Sequence, residues 1–512
     1  MSKNKQILIW SLIGLAVLGA VTAILLLTAP AKETDAADTD SADITADTAE
    51  NSELVLFDHD ESEIASIRVV NSTDTFSILP TADKDENGDI IWSVDGTGTA
   101  PLNTASLSAA AGYGAFVEAK EFVEEVPDSS QLEKYGLSEP QATVETTLAD
   151  GTVFSFKIGD PVPNSSTSSY MTSDGKSVYT CYKSRTDCFL GNKYSFVDLT
   201  AIPNYDTSSE EILKMTIDRI DLEEPIVIEM IPASDDEDKI QVYAYRLTSP
   251  YYAYMDLTNA PTFLYSLFGL TAAECARVGI NDDVRGIVGL DNPNCTVTIE
   301  TNYRTYSLTL GKAASEEQKD ADGNVTKTLT SFYGVSGDNP DILYRFNASD
   351  LEVMTIKPET LISNLFLMPY IYSLKSVRYT DPTGRDVDIG IETIKAQEEG
   401  GEDIHKFTLN GEPTDESAAK NLYQYFISAS GEDLYFDEDK GELLGEITYT
   451  YLDPNEGMNG KDVVRFYSSN TDRKVIIELN GGNLFKTRQM YVTQLFSNID
   501  KYLAGEEIVL TY

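Results

Sequence analysis

Histidine is nearly missing from this chain of 512 residues: there are two, His59 and His405. That scarcity argues against a histidine-based metal centre or catalytic triad. Cysteine is also sparse. Cys181, Cys188, Cys275 and Cys295 are too few for a disulfide scaffold, and no C-x-x-C pair suggests a metal site. Buried thiols and one or two disulfides both remain open readings. Positive charge is short as well. The chain has 38 basic against 84 acidic side chains, a formal net charge of −46. A phosphate backbone selects basic surface, so general nucleic-acid binding is excluded, and docking on anionic lipid through a basic patch is disfavoured. No G-x-S-x-G, Ser-x-x-Lys, HExxH or phosphate loop occurs, and the Gly-rich Asn480-Gly481-Gly482-Asn483 reads as a tight turn. With so many acids, chance carboxylate pairs are certain, and none stands out for glycosidase chemistry. The expectation is a protein that is not an enzyme, with no catalytic residues, no resident metal and no cofactor.

One long uncharged apolar run is present, from Ile7 to Leu27. At roughly 1.5 Å per residue it spans about 32 Å as a helix, enough for a hydrocarbon core of about 30 Å. Lys3 and Lys5 precede it and Glu33, Asp35 and Asp38 follow, so the positive-inside bias puts the N-terminus in the cytosol. Ala29-Pro30-Ala31 has the look of a signal-peptidase site, yet the run exceeds the roughly 7–15 residues of a signal h-region. The expected layout is a cytoplasmic stub (1–6), a transmembrane signal-anchor helix (7–28) and an acidic stalk (29–52). The stalk is too poor in large aliphatic side chains to fold. On either reading of the apolar run, the bulk of the chain is extracytoplasmic at the cell membrane.

Beyond residue 52 the chain repeats itself. Tyr135-Gly136-Leu137-Ser138-Glu139-Pro140 matches Val288-Gly289-Leu290-Asp291-Asn292-Pro293. Each precedes two runs of alternating hydrophobicity, Ala142 to Asp160 and Cys295 to Lys312, which read as β-hairpins. The two glycines read as turn residues, and Pro140 and Pro293 fix the chain before a strand. Three openings also correspond: Ile64 to Val69, Leu213 to Asp218 and Leu374 to Tyr379. One amphipathic helix is expected in each copy, within Asn103–Val117, Asn259–Leu270 and Asp415–Ser428. The last places Ala418, Leu422, Tyr425 and Phe426 on one face. A closing helical stretch is expected over Ser184–Phe196, Asn347–Leu365 and Thr493–Leu503. The second copy carries extra residues in a polar arm, Ala313 to Thr328, with Asp322-Gly323 at its tip. The plan is α+β: three tandem modules of mostly antiparallel sheet with helices on one face, over 53–205, 206–366 and a degenerate 367–512. Each should bury its own core and meet its neighbours at modest interfaces.

Phe57 to Val70, Lys134 to Asp160 and Ile287 to Gly311 carry a resemblance. With the leading apolar run and the hydrophobic-Gly-Leu-x-x-Pro element, the chain resembles the domain-of-unknown-function family 4340. The resemblance implies an envelope protein. Members are often encoded beside ABC transporters of the gliding-motility type, which implies an accessory role with transporter subunits as partners. The family defines no catalytic residues.

Two weak sites remain. Asp83, Asp85, Asn87 and Asp89, with Gly88 at position six, resemble the first half of a calcium loop. Val94 stands where the closing carboxylate should be, so a hairpin turn explains the stretch better. The turn Asp320-Ala321-Asp322-Gly323-Asn324 is a similar case. Tyr243, Tyr245, Tyr251, Tyr252 and Tyr254 form a cluster suited to a binding surface or to half-buried strands. The functional expectation is a membrane-anchored accessory or interaction module of an ABC-type export or envelope complex. The alternatives are a cell-wall or glycan-binding surface protein and an envelope hydrolase with paired carboxylates.

Overall fold

Period-two burial builds most of this protein. Along Ala142–Leu148 every second residue (Ala142, Val144, Thr146, Leu148) is buried, and the same alternation runs through Leu443–Tyr451. Such strands have one face for a core and one for solvent. The structure, a computed structural model, describes residues 54–206, 209–232, 242–256, 259–319, 325–394 and 403–512. The expected stub (1–6), membrane span (7–28, with its apolar run Ile7–Leu27) and stalk (29–52) lie outside the described residues, as does the arm tip at 320–324. Among the described residues no helix is long and apolar enough to cross a membrane.

The strands form three large sheets and one small two-stranded pairing. The first large sheet has the spatial order Ile90–Val94, Thr75–Lys84, Ile64–Asn71, Ala142–Leu148, Val153–Pro161, Ser168–Thr172, Ser177–Tyr182, Glu121–Glu125. The second runs Ala253–Tyr254, Tyr245–Ser249, Ile226–Met230, Ile212–Arg219, Cys295–Thr301, Thr305–Lys319, Val325–Ser336, Ile342–Asn347, Glu274–Val278. The third runs Glu412–Pro413, Ile404–Leu409, Asp386–Ile394, Leu374–Thr380, Leu443–Tyr451, Lys461–Ser468, Lys474–Leu479, Gly482–Arg488, Asp433–Leu434. The path is the same each time. An opening strand folds outward through a meander, the chain crosses through a helix to the far edge, then returns beside the opening strand and meanders back. The pairings are antiparallel throughout, for example Ile67↔Thr146, Ile217↔Val297 and Val377↔Tyr449 between opening and returning strands. The α+β expectation of mostly antiparallel sheet with some helices is met.

Helix starts follow their caps. Asn103 accepts from the Ser106 N–H to open Thr104–Ala115, and Asp415 accepts from the Ala418 N–H to open Glu416–Ile427. In the latter, Ala419 rather than Ala418 is buried with Leu422, Tyr425 and Phe426. The middle helix is shorter than expected, Asn259–Leu264, and the chain leaves it toward Gly269 at φ +77°. Asn347–Leu365 forms three short 3-10 turns rather than a helix, the last beginning at Pro358, which has no N–H to donate. Ser184–Phe196 is likewise broken, with Gly191 between its turns.

The repeated Gly-Leu element has a common cause in both copies. Gly136 (φ 67°) and Gly289 (φ 79°) end a helical turn in the left-handed region. The hairpin that follows packs back on that turn at a second glycine. A Cβ on Gly159 would lie 2.3 Å from the Tyr135 carbonyl oxygen, and one on Gly311 would lie 2.3 Å from that of Val288.

The cores depart from the expectation of three. The first sheet, with Thr104–Ala115, closes its own cluster around Ile67, Val144, Phe156 and Phe189. The second and third sheets share one continuous core that runs from Val197 to Tyr502. The connecting segment is the reason: Leu361, Ile362, Phe366 and Leu367 are buried between them, and Ile362 bridges to Met255. Residues from Leu54 to Tyr512 accordingly form one compact unit.

Candidate functional site

Lys461–Ser468 alternates like its neighbours, so Asp462, Val464 and Phe466 all face inward. Asp462 is thereby placed in the core at 0 % exposure. Three groups hold it, all neutral donors. The Tyr254 hydroxyl donates to Oδ2 at 2.8 Å, the Tyr451 hydroxyl to the same oxygen at 2.6 Å, and the Asn480 amide to Oδ1 at 2.7 Å. Asn480 is fixed in this sense because its own oxygen accepts from the Val463 N–H at 2.8 Å. Burial pushes the Asp462 carboxyl above its ordinary range, and the three donors only partly offset this. Tyr254 and Tyr451 are raised well above a free phenol, first by burial and then by this carboxylate and by each other's neighbourhood.

Tyr254 belongs to the second sheet, whereas Tyr451, Asp462 and Asn480 belong to the third, so the cluster sits on the seam. Other bonds follow the same line. The Tyr243 hydroxyl donates to the Leu365 carbonyl. The Ser363 N–H donates to the Tyr254 carbonyl at 2.9 Å, and Arg246 donates to the Gly457 carbonyl at 3.1 Å. Tyr251 stacks on Phe436 with ring centroids 3.9 Å apart. Beside the cluster lies a cavity of about 70 Å³. Ile231, Val242, Leu367 and Met368 make its apolar wall, and Tyr243, Tyr254, Tyr370, Tyr451 and Glu456 its polar side.

The tyrosines singled out in the sequence converge here. Tyr243 and Tyr254 are buried, stacked at 4.8 Å, and line the cavity. Tyr252 stands edge-on to Tyr254, with the Arg246 guanidinium 5.8 Å from its ring. Tyr245 meets Tyr265 hydroxyl to hydroxyl at 3.5 Å. Two buried polar atoms, the Tyr252 hydroxyl and Arg246 Nε, have no hydrogen-bond partner among the described residues. Asp462 was missed by sequence reading, although the signal was there: an acid in register with Val464 and Phe466 on the inward face.

The calcium candidate forms a turn between Thr75–Lys84 and Ile90–Val94. Asp85 accepts from the Asn87 and Asp89 N–H groups, both at 2.8 Å, and these bonds draw its carboxyl below the usual range. Asp83 ends the first strand, and Gly88 takes φ +88°. Asp89 instead lines an open depression of about 610 Å³ with His59, Asp60 and Glu61. There Glu61 is raised by burial and then by Asp60 and Asp89. No group of three or more His, Cys, Asp or Glu among the described residues is placed to hold a metal ion. His59 stacks on Phe154, and His405 stacks on Tyr372 at 3.5 Å. All four cysteines are free thiols. Burial lifts Cys181 and Cys275 to about 11, and Cys188 and Cys295 to about 12.

Among known proteins, the family model described as Domain of unknown function (DUF4340) matches residues 92–293. The match ends on the proline of the second Gly-Leu element and so covers parts of both the first and second sheets. No curated protein and no solved structure matches the chain.

Proposed function

We propose, for a chain that carries a DUF4340 region over residues 92–293, the role of a membrane-anchored extracytoplasmic interaction module, without catalysis of its own, in an ABC-type export or envelope complex. The observation that carries this reading is the arm of the second sheet. Thr305–Lys319 and Val325–Ser336 stay paired from Leu308↔Ser336 out to Lys319↔Val325. Their neighbours stop earlier: Cys295↔Leu310 is the last pairing on one side and Ser331↔Asn347 on the other. The outer half is therefore a two-stranded ribbon with no sheet around it. Ala313, Ala314, Ser315, Thr328 and Leu329 on it are exposed. An isolated hairpin adds little stability by itself, so its length points to contact with another molecule. The acidic exterior supports a partner with basic surface.

The test is crosslinking in intact membranes followed by pull-down, with the natural chain and with a chain whose arm is cut back to a short turn after Ala313. Recovery of transporter subunits by the first and their loss with the second is the expected result. Recovery of no transporter subunit by the natural chain sinks the proposal.

A further inference from the structure

The seam cavity is built like a receptor for a small cation. Its polar side presents aromatic rings, whose negative faces attract ammonium groups. Glu456 forms part of the wall, and the Asp462 carboxylate lies directly behind the hydroxyls of Tyr254 and Tyr451. No ion pair neutralises Asp462, whose hydrogen bonds all come from uncharged donors. Arg246, the neighbouring cation, is directed to the Gly457 carbonyl and to the Tyr252 ring. The opposite wall is aliphatic, from Ile231, Val242, Leu367 and Met368. A volume of about 70 Å³ takes two waters at about 30 Å³ each, or one short alkyl chain ending in an ammonium group. The buried Tyr252 hydroxyl, edge-on to Tyr254 and without a partner, adds an acceptor at the same end.

We propose that this cavity binds a primary alkylammonium group, with the charge toward Glu456 and Asp462 and the short stem against the aliphatic wall. Such a group arises as a free small amine or as the lysine side chain of a protein. The site does not depend on membrane anchoring or on a transporter partner, so it stands or falls apart from the functional reading above.

The experiment is titration of the full chain, by ligand-observed NMR and calorimetry, with n-propylammonium, with Nα-acetyl-lysine methylamide and with the neutral n-propanol. n-Propylammonium should bind at least about tenfold more tightly than n-propanol. Comparable binding of the lysine derivative identifies a side chain as the ligand, and its failure beside a binding amine identifies a free solute. Glu456→Gln at the cavity wall should weaken the ammonium about tenfold and leave n-propanol unchanged. Asp462→Asn should act in the same direction, with circular dichroism as the check on folding. Equal affinity for ammonium and alcohol, absence of binding by either amine, or indifference to Glu456→Gln overturns the proposal.

Discussion

Asp462 is one acid among 84, and its consequences come from position. Removing the carboxylate in Asp462→Ala strands two tyrosine hydroxyls and the Asn480 amide in a core. The expected loss is about 3 kcal/mol, read as a lower urea midpoint at unchanged slope. Tyr451→Phe removes one donor and should cost about 1 kcal/mol. The pH dependence has a definite sign. Burial raises the folded-state value above the unfolded one of about 3.9, so the folded form holds this proton more tightly. That contribution to stability is complete below the unfolded value and is lost as pH rises through the folded one. Relative to Asp462→Asn, the natural chain should therefore lose stability on going up from about pH 4 and level off above the titration. The charged and titratable neighbours that shape the curve are Arg246, Glu456, Tyr252, Tyr254 and Tyr451. A difference curve that rises with pH contradicts the assignment. The tyrosine cluster was visible as composition because the residues crowd a short stretch. Its partner carboxylate was not, since it arrives from a strand more than 200 residues away and sequence alone does not pair edges.

At the scale of elements, the Gly-Leu-x-x-Pro repeat is a packing device. Its first glycine reverses the chain after a helical turn, and a glycine on the following strand lets that turn's carbonyl come close. Gly159→Ala and Gly311→Ala should each cost about 2 kcal/mol by overpacking against backbone that cannot rotate away. Thermal unfolding of the two variants tests this; unchanged midpoints would mean that the hairpin can back off freely. Hairpins such as Ala142 to Asp160 were legible because a period of two survives any context that keeps one face buried. The helices were less so. Glu416–Ile427 carries both its cap and its apolar stripe, and was read nearly to the residue. Asn347–Leu365 carries apolar residues too, but they cover the seam from successive short turns, and no single helical face could have done that.

For the whole molecule, sharing of cores decides how it comes apart. The first sheet has a cluster of its own, whereas the second and third are joined through one. Calorimetry of the chain should resolve two transitions, the larger belonging to residues from about 206 onward, and Asp462→Ala should move only that one. Three transitions would mean that the seam adds little. The threefold recurrence of topology was traceable from the openings and the Gly-Leu copies, but the fusion of two units was not. It rests on Leu361, Ile362, Phe366 and Leu367, which look from sequence like a connector. That connector has a further effect during synthesis. When the ribosome has just finished the second sheet, the residues that complete its interior are still untranslated. The nascent chain must then wait, with greasy surface uncovered, for its last strands and helix to emerge. A holdase or the translocation channel itself would have most reason to grip the polypeptide in that interval.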